Sequence, residues 1–131
     1  MINKDYLREE IRRFEYDFFL NTDIIREDLI ANSLAFVKVL PDNVFTPDFG
    51  ATDHGTTFFS WDSWDYDAYI EIGAQHFHYL VTYKDHEPLP PHDDFPTIRR
   101  YKVKETHTVE VGHGENPEFD EAINIITELF C

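Results

Sequence analysis

The chain has 131 residues, of which 42% are apolar and 16% aromatic, and its formal net charge is −15, from 26 acidic and 11 basic residues. This length predicts a single domain over residues 1–131, and the aromatic content argues against a disordered acidic chain. The excess of acids argues against direct binding of nucleic acid or of an anionic membrane surface, because such binding needs clustered lysine and arginine. No apolar stretch approaches the ~20 residues of a membrane span.

The N-terminal third predicts a pair of amphipathic helices, the first over about 3–20 and the second over about 24–39. Asn3 is a suitable N-cap for the first helix. Pro41 ends the second, because residues before a proline avoid helical geometry. Apolar residues recur at helical spacing in both segments: Leu7, Ile11, Phe14 and Phe18, then Ile25, Leu29, Phe36 and Leu40.

Beyond Pro41 the apolar period changes to two, which predicts an antiparallel sheet of about 4–5 strands over about 55–111. Its first three strands are predicted at Gly55–Trp61, Ala68–Ile72 and His76–Tyr83, joined by short polar turns into a meander. Aromatic residues alternate on both faces of the first of these strands. That pattern predicts a central strand that is covered on each side.

The rest of the chain predicts a loop, further strand structure and a last helix. Four prolines between Lys84 and Pro96 predict a loop. Strand character returns over Ile98–Val111, as one bent strand or as a hairpin that turns near Glu105, and Gly112–Asn116 is predicted as a turn. A helix over about 117–130 follows, with Pro117 at its first position. The predicted class is therefore α+β: an N-terminal helical pair, an antiparallel sheet and a C-terminal helix.

One local pattern extends from the end of the second predicted helix into the sheet. A helix ends in Leu-Pro, an extended segment carries Pro-Asp and then a glycine, a strand ends before a tryptophan, and a second strand follows a polar turn. The residues concerned are Leu40-Pro41, Pro47-Asp48, Asp53, Gly55, Phe58-Phe59, Trp61 and Tyr69–Ile72. This pattern resembles small uncharacterised proteins of bacterial genomes, phages and mobile elements. The resemblance implies a fold type and a genomic neighbourhood, and no activity.

A lysine- and arginine-free window, Val39–Tyr83, contains seven carboxylates, and its densest part is Asp62–Asp67, here called the acidic turn. This turn has two interpretations. It could bind a partner, or its aspartates could only favour the turn geometry while its aromatic rings belong to the core. The basic run Arg99–Lys104 is expected to neutralise part of the block. The predicted partner-binding residues are Asp53, Asp62, Trp64, Asp65, Tyr66, Asp67 and Glu71, with the carboxylates supplying charge and the two rings serving as anchors.

These features predict an acidic stoichiometric binding or inhibitor protein that neutralises a basic protein partner. The partner would be a nuclease or a nucleic-acid-binding complex. The chain would act as an immunity, antitoxin or phage anti-defence protein does, with nucleic-acid mimicry as one form. A homodimer stays open, and a saline habitat would explain the acidity without any partner.

The rival hypothesis is a metal-binding module or metal-dependent enzyme that uses His76 and His78. These histidines are two residues apart on a predicted strand and therefore share a face. No catalytic or cofactor-binding motif is found, so neither a cofactor nor a reaction is predicted. The one cysteine, Cys131, cannot form an intrachain disulfide, and the N-terminus has no apolar secretion signal, so a cytoplasmic location is predicted.

Overall fold

The computed structural model describes residues 1–14, 23–52 and 55–131, with residues 23–26 described by their backbone alone. Helices α1 (Lys4–Arg13) and α2 (Asp23–Val39) precede the sheet, and α3 (Asp120–Phe130) follows it. The five strands are β1 (Asp48–Ala51), β2 (Thr57–Asp62), β3 (Tyr66–Ile72), β4 (His76–Pro88) and β5 (Tyr101–Glu115). They form one antiparallel sheet in chain order, which confirms the predicted α+β class. Within these ranges no helix is long and apolar enough to cross a membrane.

The helical pair follows from the capping residue and the apolar stripes. Asn3 caps α1 by accepting a hydrogen bond from the Tyr6 backbone N–H at 3.0 Å, and the stripe residues Leu7 and Ile11 are fully buried. The second helix matches its predicted span. The predicted extension of the first helix through residue 20, with Phe18, lies outside the described residues.

The core lies between the helices and one face of the sheet, here called the helix-side face. Phe36 of α2 is fully buried at its centre, with the Phe59 ring of β2 at 4.8 Å and the Phe119 ring at 5.1 Å. Among the described residues, two polar side chains are buried in this layer. The Ser33 and Thr57 hydroxyls hydrogen-bond each other at 2.8 Å, so neither is left unsatisfied.

The opposite face, here called the open sheet face, is left uncovered by the described helices. Alternate residues of β2, β3 and β4 are buried on the helix-side face and more exposed on the open one. The central position predicted for the strand at Gly55–Trp61 is confirmed, since β2 lies between β1 and β3. Its covering on both sides is not found, because Phe58 stacks on Tyr69 of β3 at 5.5 Å and neither ring joins the helix-packed core.

The predicted loop at Lys84–Pro96 is wrong in its first part, because β4 continues to Pro88 and pairs it with Tyr101. A proline is tolerated there because it ends the strand, where its missing N–H costs no ladder bond. Strand β3 stops pairing at Tyr66 opposite Tyr83, so β4 and β5 extend beyond the sheet as a two-stranded ribbon. This ribbon, Lys84–Pro88 paired with Tyr101–Thr106, is here called the arm.

Strand β5 is one continuous strand to Glu115, and the predicted turn at Gly112–Asn116 is therefore wrong over its first four residues. The two glycines are needed for packing rather than for turning. The Tyr79 and Phe77 rings of β4 lie across Gly112 and Gly114, and a Cβ on Gly114 would stand 2.7 Å from Phe77 Cζ. Of the two alternatives for this segment, the hairpin turning near Glu105 is not found, and the single strand carries a register shift opposite Asp85 and His86.

Three element starts also differ from the sequence-based expectation by three residues or more. Strand β5 begins at Tyr101, three residues after the predicted Ile98. Helix α3 begins at Asp120 after Phe119, three residues later than the predicted start at Pro117, and its buried residues are Ala122, Ile126 and Phe130. Strand β1 starts the sheet at Asp48, before the predicted boundary at residue 55. Its four residues are too few to show a period.

Replacing Gly112 by alanine is expected to lower the free energy of unfolding by about 1–3 kcal/mol, because the new methyl group overlaps the buried Tyr79 ring and one of them must shift. His113→Ala is the matched control, since His113 is the next residue of β5 and is exposed. Urea denaturation followed by circular dichroism measures both changes. Equal stability of the two variants would contradict the close packing of Tyr79 on Gly112.

Candidate partner-binding site

The acidic turn is the hairpin that joins β2 to β3. Asp62 and Asp67 form the last pair of the ladder, and the Ser63 N–H donates to the Tyr66 carbonyl at 2.8 Å. The Ser63 hydroxyl oxygen also accepts from the Tyr66 N–H at 3.1 Å. The tight turn leaves Trp64 and Asp65 at its tip, where the Trp64 side chain is 60% exposed.

Lys84, the first residue of the arm, ties the acidic turn to β4. Its ammonium group pairs with Asp62 and, at 3.0 Å, with Asp67. It also donates to the Ser63 carbonyl at 2.7 Å, while the Lys84 backbone N–H donates to the Asp65 carbonyl at 2.7 Å. Two of the three carboxylates of the turn are therefore paired with one cation, which offsets one of their two charges.

The basic run Arg99–Lys104 does not take this role. The Lys102 ammonium group pairs with Glu87 at 2.9 Å, and Arg100 donates to the Pro90 carbonyl at 2.6 Å. In the described part of the chain, the cation bound to the acidic turn is Lys84. The sequence predicts that the basic run pairs with the acidic block, and the cation that pairs with the acidic turn is instead Lys84 of the neighbouring strand β4.

The two paired aspartates do not titrate alike. A hydrogen bond from Asp67, together with the Lys84 ammonium group, holds the pKa of Asp62 below its usual range. Partial burial raises the pKa of Asp67, and the hydrogen bond to Asp62 acts in the same direction. As the pH falls, Asp67 is therefore the carboxylate that takes up a proton first.

An aromatic cluster, here called the Trp64 platform, lies beside the acidic turn. The Trp64 ring stacks on the His86 ring of the arm at 4.0 Å with an interplanar angle of 5°, and Tyr101 of β5 meets Trp64 edge-on at 5.7 Å. Strand alternation places His86 on the same face as Lys84. The platform therefore extends the open sheet face along the arm.

The open sheet face has an apolar centre within an acidic border. Cross-strand partners share a face, so the pairing register aligns Ser60, Tyr69, Leu80 and Val111 in one row. With Phe58 beside it, this row makes the apolar centre: Phe58, Tyr69, Leu80 and Val111. The same registers place five carboxylates on this face: Asp48, Asp62, Asp67, Glu71 and Glu115. Among the described strands, Lys84 is the one lysine that lies with these carboxylates on the open sheet face.

Glu71 is held in place on this face by two neighbours. The Tyr69 hydroxyl donates to Glu71 Oε1 at 3.0 Å, and His78 Nε2 lies 3.1 Å from Glu71 Oε2. Burial, reinforced by the adjacent carboxylate, raises the pKa of the Tyr69 hydroxyl to about 12. The hydroxyl therefore stays protonated at neutral pH. It donates a hydrogen bond that orients the Glu71 carboxylate on the surface.

The structure divides the predicted site residues between the two faces. Asp62, Asp67 and Glu71 lie on the open sheet face, with Trp64 and Asp65 at its end. Tyr66 lies on the helix-side face, where its ring meets that of Tyr83 at 5.5 Å, and Asp53 lies outside the described residues. The sequence-based prediction missed Asp48, Leu80 and Val111. Alternation along β4 could have indicated Leu80, because it follows His76 and His78 on the same face.

The two histidines of the rival metal hypothesis are both exposed on β4. His78 is paired with Glu71, and neither histidine belongs to a group of three described donor side chains close enough to share a metal ion. No family model, curated protein or solved structure matches the chain.

Proposed function

We propose that this chain is a stoichiometric binding protein that captures a basic protein through its open sheet face and the Trp64 platform. A nuclease or a nucleic-acid-binding complex is the partner class that this charge favours, in the manner of an immunity, antitoxin or phage anti-defence protein. The proposal depends on one observation. Five carboxylates surround an apolar centre, and the one lysine among them, Lys84, is already paired with two of the carboxylates.

The charge of the face supports a basic partner. Asp48, Glu71 and Glu115 have no lysine or arginine within ion-pair distance in the described ranges. Opposite potentials speed the encounter of two proteins and select against acidic competitors. The whole chain has a formal net charge of −15, and its electrostatic field would steer a basic protein toward the open sheet face.

The apolar centre supplies apolar surface that a bound partner would bury, in addition to the charge of the carboxylates. Leu80 is 38% exposed and Val111 is 66% exposed, so both lose contact with water when a partner covers them. Five strands about 4.8 Å apart give a face about 20 Å wide, over the roughly 20 Å along which β3 and β4 pair. That flat area is about half of the ~800 Å² that each partner contributes to a standard interface, and the arm with the Trp64 platform extends it. Trp64, stacked but still mostly exposed, is the anchor that such an interface favours.

The test is affinity capture from lysate with wild-type protein and two lysine variants, followed by calorimetric titration of the purified captured protein. Leu80→Lys places a charge in the apolar centre, and Val39→Lys is the matched control at an exposed position at the end of α2. We expect wild type and Val39→Lys to retain one basic protein at 1:1 stoichiometry. Leu80→Lys should bind it at least tenfold more weakly, which is about 1.4 kcal/mol.

Raised salt should weaken the captured complex, because screening shortens the range of the acidic face. Reversal of Asp62 or Asp67 is a poor test, since either change also removes a Lys84 pair and would disturb the turn itself. Asp65→Lys avoids this problem. Capture of an acidic protein, or equal binding by Leu80→Lys and Val39→Lys, would refute the proposed face.

A further inference from the structure

Three donor side chains meet on the helix-side face where the arm leaves the sheet. Asp85 and Glu105 are direct cross-strand partners, and Tyr83 and His107 form the next same-face pair. One ligand atom from each of Asp85, Glu105 and His107 lies within 4.8 Å of the other two. No described helix reaches this place, and Glu105 and His107 are exposed.

The two carboxylates of this group lack a compensating cation. Like charges directly opposite each other across two strands are destabilising. The adjacent lysines do not supply it, since Lys84 pairs with Asp62 and Asp67, and the charge of Lys104, the residue before Glu105, acts on Glu87. In the described ranges, neither Asp85 nor Glu105 has a lysine or arginine within ion-pair distance, and the neighbour of Glu105 is His107, at 3.8 Å.

We propose that Asp85, Glu105 and His107 bind one Zn²⁺ ion. Imidazole nitrogen and carboxylate oxygen are both zinc ligands, whereas Mg²⁺ and Ca²⁺ are held by oxygen alone. A divalent ion would also remove the repulsion between the two carboxylates. Three protein ligands leave a fourth position open to water or to a group from a bound partner.

The geometry needs only a small adjustment to close on the ion. Donor atoms on one tetrahedral zinc lie about 3.4 Å apart, since each bond is about 2.1 Å long. His107 Nε2 is already 3.8 Å from Glu105 Oε2, and the exposed side chains can rotate the remaining distance. The Tyr83 ring lies beside the imidazole, with 6.5 Å between the ring centroids and an interplanar angle of 27°. Nε2 faces the carboxylates, so Nδ1 is left to bond water.

The test is titration of untagged protein with zinc chloride, by calorimetry and by amide-resolved NMR. We expect one equivalent per chain, with the largest shift changes at residues 83–86 and 104–108. His107→Ala should weaken binding at least tenfold, because loss of a ligand costs no less than the 10–100-fold loss seen for outer-shell partners. His113→Ala is the matched control, an exposed histidine of the same strand outside the group.

Other results would overturn the site. Absence of binding at about 1 mM zinc would place the affinity too low for a specific site, since this corresponds to only about 4 kcal/mol. Equal loss in His107→Ala and His113→Ala, or loss in His78→Ala with none in His107→Ala, would place the ion elsewhere. Asp85→Asn provides a second variant, and circular dichroism of each variant excludes unfolding as the cause of a loss.

Discussion

Replacing Trp61 by alanine is expected to lower the free energy of unfolding by about 3–5 kcal/mol, as other large aromatic truncations in cores do. Trp61 is 1% exposed, and its ring packs against Phe36 of α2 and Phe130 of α3. The substitution thus leaves a cavity where both helices meet the sheet. Since small domains are stable by only about 5–15 kcal/mol, this loss removes a large share of the total.

The second tryptophan gives the matched control. Trp64→Ala is the same chemical change at a 60% exposed position, and its expected cost is below about 1 kcal/mol. Trp61→Phe is a smaller change that loses part of the ring volume together with the indole hydrogen bond. It keeps an aromatic ring but removes the Nε1–H that donates to the Phe45 carbonyl at 2.8 Å, at an expected cost of about 1–3 kcal/mol. Urea denaturation followed by circular dichroism measures all three, and equal losses for the two alanine variants would contradict the described core.

Local sequence patterns predicted the elements whose causes are local. The stripe of Leu7 and Ile11 lies within one helix, and the alternation over Gly55–Trp61 lies within one strand, so each is visible in a short window. The glycines of β5 are different. Gly112 and Gly114 resemble turn residues by themselves, and their reason is the Tyr79 and Phe77 rings on the neighbouring strand. A cause that lies across a strand pair does not appear in the local pattern.

The same limit applies to the candidate site. The composition of the Val39–Tyr83 window identified the acidic turn, but that window stops one residue before Lys84, which pairs with two of its aspartates. Charge density along the chain is therefore a poor measure of charge density on the surface. Glu115, near the other end of the chain, joins the same face through pairing with His76. Only the strand register brings these groups together.

Replacing Lys84 by methionine is expected to destabilise the protein by about 1–2 kcal/mol at neutral pH. The change removes two ion pairs and the hydrogen bond to the Ser63 carbonyl, and it leaves Asp62 and Asp67 without a cation. The estimate is modest because both carboxylates are partly solvated, although Lys84 itself is 13% exposed. Lys102→Met is the matched control, because it breaks the more exposed pair with Glu87 and should cost less.

The pH dependence gives this prediction a distinctive signature. Burial alone would lower the pKa of Lys84, but its hydrogen bonds to Asp62 and Asp67 raise it above the ordinary 10.5. Stability from a raised pKa is fully present below 10.5 and is lost as the pH rises through the folded-state value. At the acid end, the lowered pKa of Asp62 gives stability that is present above the ordinary 3.8 and lost as the pH falls through the folded-state value. The raised pKa of Asp67 acts in the opposite sense just above 3.8 and makes the acid limb shallower.

The stability difference between wild type and Lys84→Met should therefore be largest between these two limits and shrink beyond each of them. Urea midpoints measured from pH 3 to 11 give the curve. A pH-independent difference would mean that Lys84 contributes through its aliphatic packing alone. The turn would then be held by its backbone hydrogen bonds, and the carboxylates of Asp62 and Asp67 would be available to a partner. The shape of this curve thus determines whether the acidic turn offers one free carboxylate, Asp65, or three.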